Sequence, residues 1–157
     1  FKNNRIIPDF FRAVSKNKIL LIRNPKATRP WQHVLEPLSG YLKLGSLLLN
    51  KQINSTIYPS WNFGPHKINC KEVIEVIGMF YNFLSVNKKI KVLKNKKLVE
   101  ANFLSLNIEK AKKELNWQPS LTLKECIRFT AEWYTNFYSK KNLQYFTHDQ
   151  IDSYIKH

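Results

Sequence analysis

Residues 24–42 read NPKATRPWQHVLEPLSGYL. This stretch is the most informative about the fold, because it predicts an extended segment followed directly by a helix. The Asn-Pro pair at its start ends the apolar run before it, since proline cannot continue a hydrogen-bonded element. Residues 29–34 are predicted to be extended. Pro37 suits the first turn of a helix that continues to about Asn50.

The same stretch carries the most conspicuous candidates for a functional site. Arg29, Trp31 and His33 lie near two prolines, just before a predicted helix. These residue types are unusual in a stretch that only supports the fold. His33 lies in an apolar run and fits a hydrogen-bonded structural residue better than a catalytic base, because buried polar side chains are normally satisfied.

Short helices and strands alternate along the rest of the chain, which predicts a mixed α and β fold. Two helix starts carry capping residues, Asn69 followed by Glu72 and Thr122 followed by Glu125. The strands are short and far apart, so we expect helices packed on strands that pair partly with something outside this chain. We predict helices over residues 8–16, 37–50, 69–84, 107–115 and from 122 onward, and strands over residues 18–23, 60–63 and 89–93.

Length and composition favour one structural unit over residues 1–157. The sequence is 43% hydrophobic and 24% charged, which excludes an intrinsically disordered or collagen-like chain. Its apolar runs are far shorter than the roughly 20 residues of a membrane span, so no transmembrane helix is expected. The chain starts at Phe1 with no signal-like segment, and we expect it to be a piece of a longer protein.

Lysine and arginine outnumber aspartate and glutamate by 26 to 11, which gives a formal net charge of +15. The basic residues are spread along the chain, and the densest run, residues 88–97, fits an edge strand with lysines on its solvent face. We therefore predict a solvated basic surface and no nucleic-acid partner. A nucleic-acid-binding domain would need these lysines gathered on one face.

Most signatures of independent catalysis or metal binding are missing from the sequence. The four glycines are too scattered for a dinucleotide or phosphate loop, and neither HExxH nor GxSxG occurs. Cys70 and Cys126 lack the CxxC spacing of a metal site, so buried thiols in a reducing cytoplasm are expected. His66 and Cys70 have no second pair of ligands, and no metal site is predicted.

Five segments, taken together, resemble the C-terminal half of the CDP-glucose 4,6-dehydratases, which are extended short-chain dehydrogenases/reductases. They follow in the family's order over nearly all 157 residues, and the run RPWQHVLEPL is specific to this branch. The segments are RIIPDFFRA at 5–13, residues 24–42 quoted above, WNFGP at 61–65, VEANFLSLNIEKAKKELNWQP at 99–119 and EWY at 132–134.

The resemblance implies an α/β fold class. The chain would be the substrate-binding C-terminal part of an extended short-chain dehydrogenase/reductase, and a few of its strands and helices would complete a Rossmann sheet. The N-terminal Rossmann half is absent from this sequence. In the complete family enzyme that half holds tightly bound NAD and a catalytic Tyr-x-x-x-Lys pair. None of the seven tyrosines here is followed by lysine four residues on. We therefore expect no catalytic residue, no cofactor-binding residue and no bound NAD in this chain alone.

The implied reaction of the complete enzyme is that of a lyase, conversion of CDP-glucose to CDP-4-keto-6-deoxyglucose for deoxysugar synthesis such as that of O-antigen lipopolysaccharide. The implied partners are the nucleotide sugar, the missing Rossmann half and a second subunit in a homodimer, with no membrane contact. A cytoplasmic location follows from the same resemblance.

The resemblance also assigns roles to residues where the motifs match. Arg29 takes the place that meets the substrate diphosphate, and a planar guanidinium can give two charge-assisted hydrogen bonds to phosphate. Its alternative role is that of a surface ion-pair partner. Ile6, Ile7 and Pro8 match a segment near the nucleotide base, and ordinary core packing is the alternative for them.

Five further residues are weaker substrate-site candidates. Trp31, Gln32 and His33 are expected to shape the loop after Arg29. Asn62 either contacts substrate or ties down its own turn, and the turn is favoured because asparagine commonly bonds nearby backbone. Glu100 belongs to a segment where the family tends to have His-Glu-Ala, and this chain has valine in place of the histidine.

Two other functions stay open at this point. The chain could belong to a related sugar-nucleotide epimerase or dehydratase that recognises another base. It could also be a non-catalytic remnant or interaction module that keeps the fold. The lost histidine favours this alternative, whereas the intact RPWQHV run argues against it.

Overall fold

The computed structural model describes residues 5–50, 53, 60–93 and 101–157. Six helices and four short strands alternate within them, with one 3-10 turn at Lys67–Asn69. The helices are α1 (Ile6–Ser15), α2 (Leu35–Leu49), α3 (Val73–Leu84), α4 (Glu109–Leu115), α5 (Leu123–Tyr138) and α6 (Leu143–Ile155). The strands are β1 (Leu20–Ile22), β2 (Thr28–Pro30), β3 (Cys70–Glu72) and β4 (Ile90–Val92).

The strands form two separate two-stranded sheets. β1 and β4 are parallel, with Leu20 opposite Ile90, whereas β2 and β3 are antiparallel, with Arg29 opposite Lys71. Among the described residues neither sheet has a third strand, although Thr28 makes a bridge to Phe103. Parallel strands normally lie in sheets that are covered on both faces.

Two hydrophobic clusters hold these elements together. The larger one joins α1, α3, α5 and β1 around Phe10, Ile77 and Ala131, all fully buried. The smaller one joins α2, α4 and the segment around Phe63. Gly40 on α2 lies directly against the Phe63 ring, because a Cβ there would stand 2.2 Å from a ring carbon.

One of the two capping predictions is confirmed and the other is wrong. Thr122 caps α5 as predicted: its Oγ1 accepts from the Glu125 backbone N–H at 3.3 Å, and the Glu125 carboxylate accepts from the Thr122 N–H at 2.7 Å. Asn69 does not cap α3. Residues 70–72 are extended because they pair with β2, so the helix begins later and Glu72 is its N-cap, with Glu75 accepting from the Glu72 N–H at 2.9 Å.

The other predicted elements are found with adjusted ends. α1 starts at Ile6, so that Pro8 lies in its first turn, and α2 starts at Leu35, so that Pro37 does the same. The extended stretch predicted over residues 29–34 shrinks to β2.

Two predictions about elements are wrong. Residues 60–63 form no strand, because no neighbouring strand pairs with them, and the Phe63 carbonyl instead accepts from the Gln32 side chain at 3.0 Å. α6 is missing from the sequence-based prediction because it has no apolar stripe. It is capped by the Asn142 side chain, and Gln150 is its buried residue.

Candidate functional site

A groove of about 730 Å³ lies between α1 and the β1–β2 region. One wall is the face of α1, and the other is β1 with the loop and strand that follow. Three residues predicted to contact substrate, Ile6, Arg29 and Trp31, line it together. Its principal lining residues are Arg5, Ile6, Asp9, Ala13, Leu21, Arg23, Asn24, Arg29, Pro30 and Trp31.

Arg29 is held in place by backbone carbonyls. Its Nη1 donates to the carbonyl of Thr28 at 2.9 Å and to that of Ala101 at 2.8 Å. These bonds tie the segment from residue 101 onward to β2 and fix the plane of the guanidinium. A fixed plane is what a two-pronged contact to phosphate requires.

Trp31 is positioned in a similar way at the edge of the same groove. Its indole Nε1 donates to the carbonyl of Lys71 at 2.9 Å, and the ring packs against the larger hydrophobic cluster. Arg29 lies opposite Lys71 in the β2–β3 pair, so the short sheet positions both groove residues.

The groove has a positive balance of charge. Arg5, Arg23 and Arg29 line it, against one acid, Asp9, which is itself paired with Arg12 at 2.5 Å on the same helix. Ile6 supplies apolar surface between these groups. The arrangement suits an anion attached to a flatter, less polar group.

His33 and Gln32 lie outside this groove. With Ile7 they line a second cavity of about 410 Å³ between α1, α5, α6 and the loop after β2. His33 is buried, and desolvation lowers its pKa to about 4. Its Nδ1 accepts from the Leu35 N–H at 3.4 Å, and its ring meets Phe129 edge-on at 5.5 Å. At neutral pH it is an uncharged structural residue at the start of α2.

The remaining predicted site residues are scattered. Pro8 does not line either of these cavities. The Asn62 Nδ2 donates to the Asn107 carbonyl at 3.2 Å, so this bond joins two segments 45 residues apart in the chain and does not close the turn of Asn62 itself. Glu100 lies outside the described residues. The N-cap of α4 is Ile108, and Asn107 just before it accepts from the Glu109 N–H through its Oδ1 at 2.9 Å.

The sequence analysis missed Glu36, a fully buried carboxylate in the first turn of α2. It accepts from the Ser120 N–H at 3.0 Å, the Leu121 N–H at 2.6 Å and the Tyr154 hydroxyl at 3.0 Å. The sequence does contain a signal for this residue, an acidic side chain placed among apolar residues at the start of a predicted helix. Glu36 joins α2, the start of α5 and the end of α6 around the stretch that carries Arg29.

The described residues lack two features. They contain no group of three histidine, cysteine, aspartate or glutamate side chains arranged to hold a metal ion. None of their helices is both long enough and apolar enough to cross a membrane.

The sequence is 30% identical over 152 residues to the CDP-glucose 4,6-dehydratase of Salmonella typhimurium. This similarity covers 97% of the chain but 42% of that enzyme, so the chain spans less than half the length of the curated relative it matches. No family model matches the sequence.

Solved structures of sugar-nucleotide enzymes share the fold. The UDP-glucuronic acid 4-epimerase of Bacillus cereus, solved with UDP-glucuronic acid and NAD, has a TM-score of 0.71 at 14% identity, over 87% of this chain and 41% of its own. The dTDP-glucose 4,6-dehydratase of Bacillus anthracis, solved with NAD, has a TM-score of 0.69 at 22% identity, over 84% of this chain and 39% of its own.

The fold is therefore that of the C-terminal portion of extended short-chain dehydrogenases/reductases that act as sugar-nucleotide epimerases and dehydratases. The resemblance to the CDP-glucose 4,6-dehydratases and the α/β fold class, both predicted from the sequence, are confirmed.

Proposed function

We propose that this chain is the substrate-binding portion of a CDP-glucose 4,6-dehydratase and that the groove between α1 and β2 holds the nucleotide sugar. One observation carries the proposal: the groove residues Arg29 and Trp31 belong to a chain whose sequence is similar, over 97% of its length, to such an enzyme.

The chemistry of the groove supports a nucleotide diphosphate as the ligand. Arg29 is anchored by two carbonyls and offers a fixed guanidinium for the diphosphate, while Arg23 adds a second positive charge on the same wall. Charge-assisted contacts to phosphate are among the stronger hydrogen bonds in proteins. Trp31 and Ile6 supply surface for the less polar parts of the ligand.

The residues of this chain do not fit NAD. Its four glycines are isolated, whereas a dinucleotide needs clustered glycines at a strand-to-helix turn, and no tyrosine is followed by lysine four residues on. Bound to a complete enzyme, NAD would accept a hydride from the substrate and return it. We expect the 157 residues alone to bind substrate weakly and to leave CDP-glucose unconverted, so that turnover needs a Rossmann half. We expect the complete enzyme to be a homodimer.

A sugar-nucleotide epimerase portion is the second candidate, because a UDP-glucuronic acid 4-epimerase shares the fold as closely as the dTDP-glucose 4,6-dehydratase does. The two functions separate on the nucleotide bound. Preferential binding of UDP-linked sugars would favour the epimerase, and binding of no nucleotide at all would favour a non-catalytic remnant.

The test is calorimetric titration of CDP-glucose into the chain and into three variants. Arg29→Ala removes one charge-assisted interaction worth roughly 1.5–3 kcal/mol, which corresponds to about 10-fold to 150-fold weaker binding. Arg29→Lys should restore part of the affinity, because a point charge cannot make the two-pronged contact. Arg128→Ala, on α5 and away from the groove, is the matched control and should bind as the wild type does.

Two results would count against the assignment. Arg29→Ala that stays folded and binds CDP-glucose within about twofold of wild type would show that Arg29 is only a structural residue. Turnover of CDP-glucose by the purified 157 residues would contradict the proposal that catalysis needs a Rossmann half.

A further inference from the structure

We infer that the second cavity, between α1, α5, α6 and the loop after β2, binds an uncharged aromatic molecule that donates one hydrogen bond to Gln32. The cavity has a volume of about 410 Å³, which lies in the range of small-molecule sites. Although the resemblance makes Gln32 and His33 substrate-site candidates, they line this cavity and not the groove that contains Arg29. The inference goes beyond the proposed function and does not depend on what the groove binds.

The lining of this cavity is uncharged. None of the described residues that form it is a lysine, arginine, aspartate or glutamate, although the chain has a formal net charge of +15. Burial lowers the pKa of His33 to about 4, so its imidazole is neutral at pH 7. A charged ligand would lose its hydration here without meeting an opposite charge, which is costly. The cavity therefore fits an uncharged ligand and does not fit a diphosphate.

The walls of the cavity are largely aliphatic and aromatic. Ile7 lies on α1, Trp133 and Tyr134 lie on α5, and Ile151 lies on α6. The polar end of the Trp133 ring already has a partner inside the protein, because its Nε1 donates to the Thr147 Oγ1 at 3.1 Å. Aromatic rings pack well against aliphatic and aromatic side chains. A flat aromatic molecule therefore matches these walls better than a hydroxyl-rich sugar, which needs many polar partners.

Gln32 supplies the polar contact that such a ligand needs. Its Oε1 is buried and accepts no hydrogen bond from any residue in the part of the chain that the structure describes. The amide cannot turn over to relieve this, because its Nε2 donates to the Phe63 carbonyl at 3.0 Å and a turned amide would set two oxygens against each other. A buried acceptor without a partner lowers stability. An N–H or O–H of a ligand would satisfy the Gln32 Oε1, so we expect the ligand to carry one donor.

The experiment titrates two isomers, 3-methylindole and 1-methylindole, into the isotopically labelled chain and follows its backbone amide resonances. The isomers have the same size and aromatic surface, but only 3-methylindole keeps the ring N–H. Both should move the resonances of Thr130 and Gln150 and leave those of Leu21 and Arg29 in place. We expect 3-methylindole to bind at least about fivefold more tightly than 1-methylindole. Gln32→Leu should bring the two affinities within about twofold, because leucine offers no acceptor.

Gln118→Leu, at an exposed position before α5, makes the same chemical change away from the cavity and should keep the wild-type preference. Equal binding of the two isomers by the wild type would overturn the inference, as would an unchanged preference in Gln32→Leu. Perturbation of the groove in place of the second cavity, or no perturbation by either isomer at millimolar concentration, would overturn it as well. The wild-type comparison of the two isomers decides the matter even if Gln32→Leu does not fold.

Discussion

At the scale of single residues, Arg29 and His33, four positions apart, illustrate how burial decides between function and support. Arg29 is half-buried at the rim of the groove, and Val34 lies exposed just before α2, but His33 between them is enclosed by the protein. The burial lowers the pKa of His33 to about 4 and leaves it neutral at pH 7. A residue in that state supports the loop after β2 and does not carry charge to a substrate.

The pKa of His33 predicts how stability depends on pH. Because the pKa is about 6.5 when the chain is unfolded and about 4 when it is folded, the unfolded state takes up the proton first as pH falls. Its contribution is complete above pH 6.5 and is lost between about pH 6.5 and 4. Over that window the free energy of unfolding should fall by roughly 3 kcal/mol from this residue alone.

Urea unfolding of the wild type and of His33→Asn at pH 7 and at pH 4.5 measures this contribution. Asparagine keeps an acceptor for the Leu35 N–H but has no proton to gain, so the variant should lose less stability than the wild type on acidification. The same loss in both proteins would mean that His33 is exposed to solvent in the folded state.

At the scale of elements, a buried carboxylate connects three helices. Glu36 in α2 accepts hydrogen bonds from the backbone before α5 and from Tyr154 near the end of α6. The Tyr154 oxygen also lies 3.0 Å from the Ser39 hydroxyl, which accepts from the Trp117 indole at 2.9 Å. This network explains why the weakly amphipathic α6 stays docked.

Glu36→Gln replaces one acceptor oxygen of this network with an amide donor. One buried N–H or hydroxyl then loses its partner, and we expect the free energy of unfolding to fall by about 1–3 kcal/mol. Hydrogen exchange should quicken first in α6. Glu132→Gln, in the partly exposed middle of α5, makes the same chemical change and should alter stability by less than about 0.5 kcal/mol. Equal effects of the two substitutions would show that the buried network adds nothing.

The elements also show what local sequence can and cannot specify. The Thr122–Glu125 capping box and the prolines in the first turns of α1 and α2 act within four residues, and these features were predicted correctly. The start of α3 depends on pairing between β3 and β2, about 40 residues away, so the local sequence wrongly predicts Asn69 as its cap.

The same limit applies to the site. Ile6, Arg29 and Trp31 line one groove because α1 and β2 face each other across it, and their contact with substrate stays a prediction. Gln32 and His33 diverge from them, since the chain after Trp31 turns away from the groove. Glu36 is not predicted, because its partners Ser120, Leu121 and Tyr154 lie more than 80 residues along the chain and meet it only in the folded structure.

At the scale of the whole molecule, apolar side chains remain exposed on several elements, α2 and β1 among them. Leu42 and Leu49 on α2 are 77% and 86% exposed, and Leu21 on the outer face of β1 is 53% exposed. Exposed apolar side chains that share one helix face are typical of surfaces that meet another protein. The isolated chain should therefore self-associate at high concentration.

Analytical ultracentrifugation of a double variant tests this expectation. Leu42→Glu with Leu49→Glu should shift the chain toward the monomer, because a charged side chain is costly to bury in an apolar contact. Ser46→Glu adds a charge to an exposed position of the same helix without removing apolar surface, and it should have a smaller effect. A monodisperse wild-type monomer at high concentration would refute the prediction.

The position of the ligand on the chain tests the central claim most directly. CDP-glucose titrated into the isotopically labelled chain should move the backbone amide resonances of the groove, those of Ile6, Asp9, Leu21, Arg29 and Trp31. The resonances around the second cavity, such as those of Thr130 and Gln150, should stay in place. Perturbation of the second cavity in place of the groove, or no perturbation at millimolar CDP-glucose, would contradict the assignment of this chain as a nucleotide-sugar-binding portion.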